Sequence, residues 1–325
     1  MADHVGDRNE REHSGVKQAE TPQPRLLWAH KAAIWGIGKL PHFNNHMLFR
    51  AYDKAIRLFR QEYIGKTYFG ALMHCNLSDW IQLHVFHFGV WEPEISYIVS
   101  RILKPDDVFV DIGANVGYDS LLGSSLVGPQ GRVIAIEPSP TTFAKLKENI
   151  ALNKSTNVRA VNVAVSDSVG TLDLFDVSES NCGAATTLAG RGGKLIATVN
   201  ALPLAQILTP SEMESVRLIK IDVEGAEPII LNDVLDHIEH FPTSMDIIVE
   251  SSPDEFEDSK RVFSRMMQMG YYAYAIDNVY EWGRYLSNRP LSPLVSIDTL
   301  PLTQCDLLYT RRKIVEVALK KQLPV

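Results

Sequence analysis

The chain has 325 residues, 45% hydrophobic and 22% charged, which is enough apolar mass for one large domain with an extension, or for two domains. Lys and Arg number 32 against 39 Asp and Glu, and the net charge of -7 argues against a protein held mainly by phosphate backbones, so no nucleic-acid partner is expected. Cys75, Cys182 and Cys305 form no CxxC pair and have no histidine at zinc spacing; neither a disulfide framework nor a structural metal is expected, and a reducing cytoplasm fits. The opening MADHVGDRNEREHSG lacks the apolar stretch of a signal peptide. No run approaches the roughly 18 apolar residues of a membrane span. A soluble, cytoplasmic protein without a transmembrane segment is the expectation.

Residues 1–25 are polar, mixed in charge and broken by Pro22 and Pro24, the composition of a disordered tail. Residues 26–90 turn apolar and aromatic and are expected to form a mostly helical extension or lid. Within them, HMLFRAYDKAIRLFRQEYIG sets Leu48, Tyr52, Ala55, Phe59 and Tyr63 at helical spacing, with Arg50, Lys54, Arg57 and Arg60 between them. Such a cationic amphipathic helix can lie on a membrane, but the commoner outcome is a stripe packed on its own domain.

From Trp91 the pattern becomes regular. EPEISYIVSRIL is predicted helical, and VFVDI is a continuous apolar run of the kind covered on both faces. Strands follow at 132–136, 158–163, 215–221, 245–249, 271–276 and 305–310. Helices are predicted at 140–152, 226–238 and 253–269. This alternation implies a parallel sheet with right-handed crossovers, hence a three-layer α/β domain over 91–311, with 312–325 as a C-terminal tail. Residues 176–200, rich in Gly, Ser and Thr, break the rhythm and are expected to be a binding loop or hairpin beside the site.

The sharpest motif is VFVDIGANVGY (108–118). A buried strand ends in Asp111, small or turn-forming residues follow at Gly113, Asn115 and Gly117, and a helix opens at about Tyr118. Glycine permits a positive-φ turn, and the helix N-terminus adds unpaired N–H groups, so the segment reads as a nucleotide-binding turn at the carboxyl edge of a sheet. Counting from Gly113, a dinucleotide fingerprint would need glycines where Asn115 and Ser120 stand. The pattern D-x-G-x-N-x-G instead matches the first motif of S-adenosylmethionine (SAM) methyltransferases, where an acid before the turn, here Asp111, suits the α-amino group of the ligand. Glu137 ends the next strand, 26 positions after Asp111, where a carboxylate can accept both ribose hydroxyls. Asp167, one strand further, could receive the adenine amino group or simply make a turn before Ser168 and Gly170. In LIKIDVEGAE (218–227), Asp222 closes a strand and Glu224 falls near a helix start. Carboxylates there are stabilised by the helix dipole, yet three acids in six residues at a ligand edge also suit a sulfonium cation or a substrate hydroxyl.

Together with Glu92-Pro93-Glu94, RVIAIEPSP, the Asn149 and Asn153 pair in KENIALN, and VNVAVSDSVGTL, these motifs resemble the FkbM family of SAM-dependent methyltransferases over roughly half the chain, from Trp91 to about Glu250. NALPLAQIL (200–208) departs from the family's usual Leu-Asp-Asp, and the front 90 residues match no pattern. The resemblance implies a Rossmann-like seven-stranded class I methyltransferase fold, SAM as cofactor, and methyl transfer to a hydroxyl of a sugar, polyketide or other small metabolite. It implies cofactor contacts from Glu94, Asp111, Gly113, Ala114, Asn115, Gly117, Glu137, Pro138, Ser139, Asp167 and Asp222.

The expected chemistry is in-line methyl transfer, with the protein supplying proximity and a general base. Asp222 is the first candidate, Glu224 the second and the His84-x-x-His87 pair a third. A metal-assisted site on Asp222 and Glu250 is the less favoured arrangement. An NAD-dependent oxidoreductase and a non-catalytic SAM-fold binding protein are the alternatives from other classes.

Overall fold

The computed structural model describes residues 24–40, 42–59, 62–176, 185–186, 193–251, 256–278, 280, 282–286 and 291–314. The described chain opens with α1 (Pro24–Gly38) and α2 (His42–Phe59), the hairpin β1 (Glu62–Lys66) and β2 (Leu72–Asn76), and α3 (Trp80–Phe88). The helix α1 begins inside the segment expected to be a tail, at the Pro24 that suits a first helical turn. Residues 1–23 lie outside the described residues, as does the C-terminal tail beyond Ile314.

The next units alternate as the apolar runs require: α4 (Pro93–Ile102), β3 (Val108–Ile112), α5 (Tyr118–Val127), β4 (Arg132–Ile136), α6 (Pro140–Leu152) and β5 (Val158–Val161). The predicted strand 158–163 ends earlier, at Val161. Val158–Val161 stay in the main sheet, and the following β6 (Ala164–Val165) turns away to join β7 (Gly170–Asp176), β8 (Ala185–Thr186) and β9 (Lys194–Leu202) in a second sheet of order β6-β9-β7-β8. β7 and β9 pair antiparallel from Gly170↔Ala201 to Asp176↔Lys194, so residues 194–200 form one arm of a hairpin, the second of the two forms expected for this segment. Residues 177–184 and 187–192 lie outside the described residues.

Two short helices, α7 (Leu204–Ile207) and α8 (Pro210–Met213), lead into β10 (Val216–Ile221), α9 (Glu227–Asp236), β11 (Asp246–Ser251), α10 (Phe256–Gln268), β12 (Tyr272–Ile276), α11 (Trp282–Leu286), β13 (Val295–Ile297) and β14 (Cys305–Thr310). The main sheet runs β13-β12-β14-β11-β10-β3-β4-β5. β14 is antiparallel to both its neighbours, and β3, β4, β5, β10 and β11 are mutually parallel. Seven of these strands make the Rossmann-like class I methyltransferase sheet; the eighth, β13, adds an antiparallel edge on β12.

All five residues of β3 are buried, because helices cover both faces of the sheet. On one face Ile230, Leu231, Val234, Phe263 and Met266 of α9 and α10 pack on Val110, Ile219 and Ile247. On the other, Ile95, Ile98 and Leu122 of α4 and α5 pack on Phe109, Leu218 and Leu308.

The front hairpin is attached through the two asparagines of α6. Asn149 Oδ1 accepts from His74 N and its Nδ2 donates to Val116 O, both at 2.8 Å. Asn153 takes both backbone groups of Leu72, at 2.8 and 2.7 Å. These amides do for β2 what a neighbouring strand would do, satisfying an otherwise open edge. They also tie the hairpin to the segment that forms the turn after β3.

The stripe of α2 sits one position from where its spacing predicts. Phe49, Tyr52 and Ile56 face the interior, whereas Leu48 and Ala55 are exposed. The helix carries apolar residues on both sides, so periodicity alone selects a face poorly.

Candidate active site

A cavity of about 330 Å³ opens where β3, β4 and β10 end. Seven of the predicted site residues line it: Gly113, Ala114, Asn115, Glu137, Pro138, Asp222 and Glu224. The turn after β3 is built against the turn after β10. A Cβ on Gly113 would stand 1.8 Å from the carbonyl oxygen of Asp222, and Gly113 has φ +81°, so the position admits glycine alone. The two sequence motifs are thus one structural unit. Of the five non-glycine residues with positive φ among the described residues, three line this cavity: Glu92, Asn115 and Glu224. Each such conformation costs roughly 1–2 kcal/mol, and strain of this kind gathers where side chains are aimed for function.

Glu137 is fixed by the backbone on both sides. Its Oε2 accepts from Asn115 N and its Oε1 from Ser139 N, each at 2.9 Å. Burial outweighs these two bonds and lifts its carboxyl to about 7. The arrangement leaves further lone pairs for two hydroxyl donors of a ribose. Beyond it, Ile136, Val163, Ala164, Val165, Leu174 and Ile230 form an apolar slot suited to a flat base. Glu137→Ala is expected to weaken SAM binding by about 1–3 kcal/mol in calorimetry, the scale for lost charged hydrogen bonds. Unchanged affinity would remove the ribose role.

The other end of the cavity is acidic. Lys220 is buried near the carboxyl end of β10, one side-chain period before Asp222, and its Nζ sits 2.7 Å from Asp222 Oδ2 and 3.2 Å from Asp119 Oδ2. Burial alone would discharge this lysine, but Asp222 and Asp119 hold its ammonium well above the ordinary range. Around it stand Glu92, Asp119, Asp222, Glu250 and Asp306, with Asp111 behind. Burial pushes Glu92 well up, and Glu250 rises to about 9 and Asp306 to about 7, through burial together with the Asp222 charge. Glu250 and Asp306 face each other directly across the β11–β14 pair, a like-charge arrangement that is unfavourable with both ionised. The oxygens Glu92 Oε2 and Asp119 Oδ1 are buried with no hydrogen-bond partner among the described residues. Orphaned carboxylate oxygens facing a cavity with a single compensating ammonium fit a cationic ligand that carries N–H donors. A sulfonium bearing an α-ammonium group is such a ligand.

Five predicted contacts fall outside the cavity wall. Asp111 is 1% exposed behind the turn, and its Oδ2 accepts the Ser120 hydroxyl; Asp119 and Glu92 stand where it was expected. Glu94 is also buried, but it points the other way from Glu92, pairing with Arg284 and accepting from Ser292 N at 3.2 Å. It fastens α4 to the C-terminal segment. Gly117 and Ser139 act as helix N-caps for α5 and α6. Asp167 is exposed in the turn after β6, with its Oδ1 taking the Ser166 and Ser168 hydroxyls at 3.4 and 3.1 Å. It is held there because β6 leaves the main sheet for β9.

His84 and His87 are packed residues of α3, outside the cavity wall. His84 Nδ1 lies 2.8 Å from Trp80 O, His87 Nε2 lies 2.9 Å from Asp53 Oδ1, and burial takes His84 down to about 4. Nothing in this geometry aims either at a substrate. Glu227 likewise serves the backbone, accepting from Val223 N and Gly225 N at 2.9 and 2.8 Å. No group of three or more potential metal ligands occurs among the described residues. Periodicity did not single out Lys220, Asp119, Glu92, Asp306 or Tyr280. One signal was available: a lysine inside the apolar run VRLIKI has no place in a covered strand unless carboxylates meet it.

The sheet order, the glycine turn and the acid-lined cavity define a class I SAM-dependent methyltransferase. The chain belongs to the FkbM methyltransferase family, whose domain model matches residues 111–275. Three named relatives are similar to it. Methyltransferase sdnD of Sordaria araneosa is 29% identical over 178 residues, 46% of this chain and 68% of its own. The 2-O-methyltransferase NoeI of Sinorhizobium fredii is 28% identical over 167 residues, 45% of this chain and 67% of its own. The hexuronic acid methyltransferase AglP of Haloferax volcanii is 26% identical over 136 residues, 42% of this chain and 53% of its own.

Proposed function

We propose that the protein methylates a hydroxyl oxygen of a small-molecule or glycan acceptor, with Asp222 as general base and Glu224 as the second candidate. The observation that carries this reading is the Lys220–Asp222 pair. A carboxylate one-third exposed to the cavity is anchored from behind by a buried ammonium, while its flank toward the cavity stays accessible. SAM, when bound, supplies a methyl group already activated by its sulfonium, so the protein's task is alignment and removal of one proton.

In this account Glu137 and the Gly113–Asn115 turn hold the cofactor's ribose side, and Glu92 and Asp119 face its cationic end. Asp222 accepts the acceptor's hydroxyl proton as the oxygen gains its methyl group. Lys220 keeps its bond to Asp119 throughout and so stays neutralised. Glu250, carrying its proton at neutral pH, offers a donor rather than a second base.

Within residues 26–90, α3 contributes to the acceptor side in this reading. Trp80 and Ile81 of α3 line the cavity together with Trp91 and Tyr280, whose rings stack with centroids 5.2 Å apart. Aromatic walls with acids beside them suit a ring that bears hydroxyls. The names of NoeI and AglP, a 2-O-methyltransferase and a hexuronic acid methyltransferase, agree with that class. Transfer from methyl-labelled SAM to a panel of hydroxylated sugars and metabolites, with the product bond assigned by NMR, tests the proposal. A methyl ether is the expected product. An N-, S- or C-methyl product, or transfer to nucleic acid alone, would overturn it.

A further inference from the structure

The outward face of α2 has no role in the chemistry above, and its composition is unusual for a solvated helix. At 100° per residue, Met47, Ala51, Ala55, Leu48 and Leu58 fall within a sector of about 100°, turned away from the buried Phe49 and the half-buried Tyr52 and Ile56. Met47 is 64% exposed and Leu58 79%. Arg50 and Lys54 border the same sector and are exposed. The turn from α1 adds exposed Leu40, and on the outer side of α1 Trp35 is 69% exposed with Lys39 Nζ over its ring at 5.3 Å.

Charge is concentrated here as well. Residues 24–60 hold seven Lys and Arg against one acid, Asp53, in a chain of net charge -7. That acid is already engaged by Arg57 and His87. Large apolar side chains interleaved with unopposed cations are the chemistry of a helix lying in the headgroup layer of an anionic bilayer. No described helix is long and apolar enough to cross a membrane, so attachment of this kind would be peripheral.

Other occupants fit less well. A second copy docked through the same face would bring Arg50 and Lys54 against their own equivalents. Residues 1–23 offer Met1, Val5 and Val16 as their only larger apolar side chains, too few to cover Met47, Leu48 and Leu58. Residues 315–325 are apolar but bring Lys320 and Lys321, like charges again.

We infer that the outward face of α1 and α2 is a docking surface for an anionic membrane, seating the enzyme on the bilayer. This goes beyond the proposed methyl transfer and does not depend on it. α1 packs on α3, whose Trp80 and Ile81 wall the cavity, so the docked face lies one helix from the acceptor side.

Sedimentation of the full chain with vesicles tests the inference, comparing pure phosphatidylcholine with phosphatidylcholine containing phosphatidylglycerol. Binding is expected to the anionic vesicles and to weaken as salt rises. Lys54→Ala should lower the partition roughly fivefold, the scale for one cation near a charged surface. Leu58→Ser should lower it more than about tenfold, with the melting temperature and soluble turnover unchanged. No sedimentation with anionic vesicles at low salt would overturn the inference. So would equal binding to neutral vesicles, or binding that neither variant weakens. Self-association abolished by Leu58→Ser, without vesicle binding, would assign the face to a second copy instead.

Discussion

Asp222→Asn is expected to lower kcat by about 10²–10⁴, the usual range for loss of a general base, with SAM affinity little changed. The amide keeps the shape of the carboxylate and can still accept from Lys220 Nζ, now 2.7 Å from Oδ2. What disappears is the basic oxygen on the cavity side. If Asp222 only neutralised Lys220, the variant would lose stability and retain its rate, because an uncompensated buried ammonium is costly. If it held the cofactor, SAM binding would weaken at near-normal kcat, and Glu224 would become the candidate base. Melting temperature, SAM affinity and single-turnover rate on this one variant separate the three roles.

Gly113→Ala is expected to be the most damaging single substitution in the site. The added methyl would lie 1.8 Å from the Asp222 carbonyl oxygen, a backbone atom that cannot move without displacing the end of β10. Steric overpacking of about 1–3 kcal/mol adds to the cost of a left-handed alanine, about 1–2 kcal/mol. Gly270 provides the control. It also has positive φ, at +84°, but a Cβ there meets nothing within 4 Å, so Gly270→Ala should show the backbone cost alone. Comparable melting temperatures for the two variants, with SAM binding intact in the first, would mean that the two turns are not packed as described.

The parts of the fold legible in the sequence are those fixed by local pattern. VFVDI, RVIAI and VRLIKI read as strands because both faces of the sheet are covered and nearly every side chain must be apolar. The glycine turn read correctly because its conformation excludes other residues. The hairpin β1–β2 did not, since EYIGK and LMHCN have little strand pattern of their own and depend on Asn149 and Asn153 for their edge. The Gly-, Ser- and Thr-rich connection left loop and hairpin undecided for 176–200, and the β7–β9 pairing decides for the hairpin.

The site shows the same division. Glu137 and Asp222 end strands whose neighbours in sequence locate them, and both line the cavity. Lys220, Asp119, Glu92 and Asp306 come from four elements, and only the fold brings them together. Glu92 and Glu94 flank one proline and are equivalent as sequence. The first precedes the helix with φ 44° and faces the cavity, whereas the second lies inside the helix and turns to Arg284. The left-handed backbone at Glu92 decides which of the two acids faces the cavity.

This acid-lined cavity takes a cationic cofactor at the carboxyl edge of the sheet. Calorimetric titration with SAM, and with NAD for comparison, in buffers of different ionisation enthalpy tests it most directly. Asp111, Glu137 and Asp306 all lie at about 7 without ligand, raised chiefly by burial, so each holds part of a proton at neutral pH. A positive ligand favours their ionised forms, so binding is expected to release protons and to tighten as pH rises through neutrality. One SAM per chain, net proton release at pH 7, and no comparable binding of NAD are expected. Equal affinity for NAD, or SAM binding with proton uptake, would contradict it.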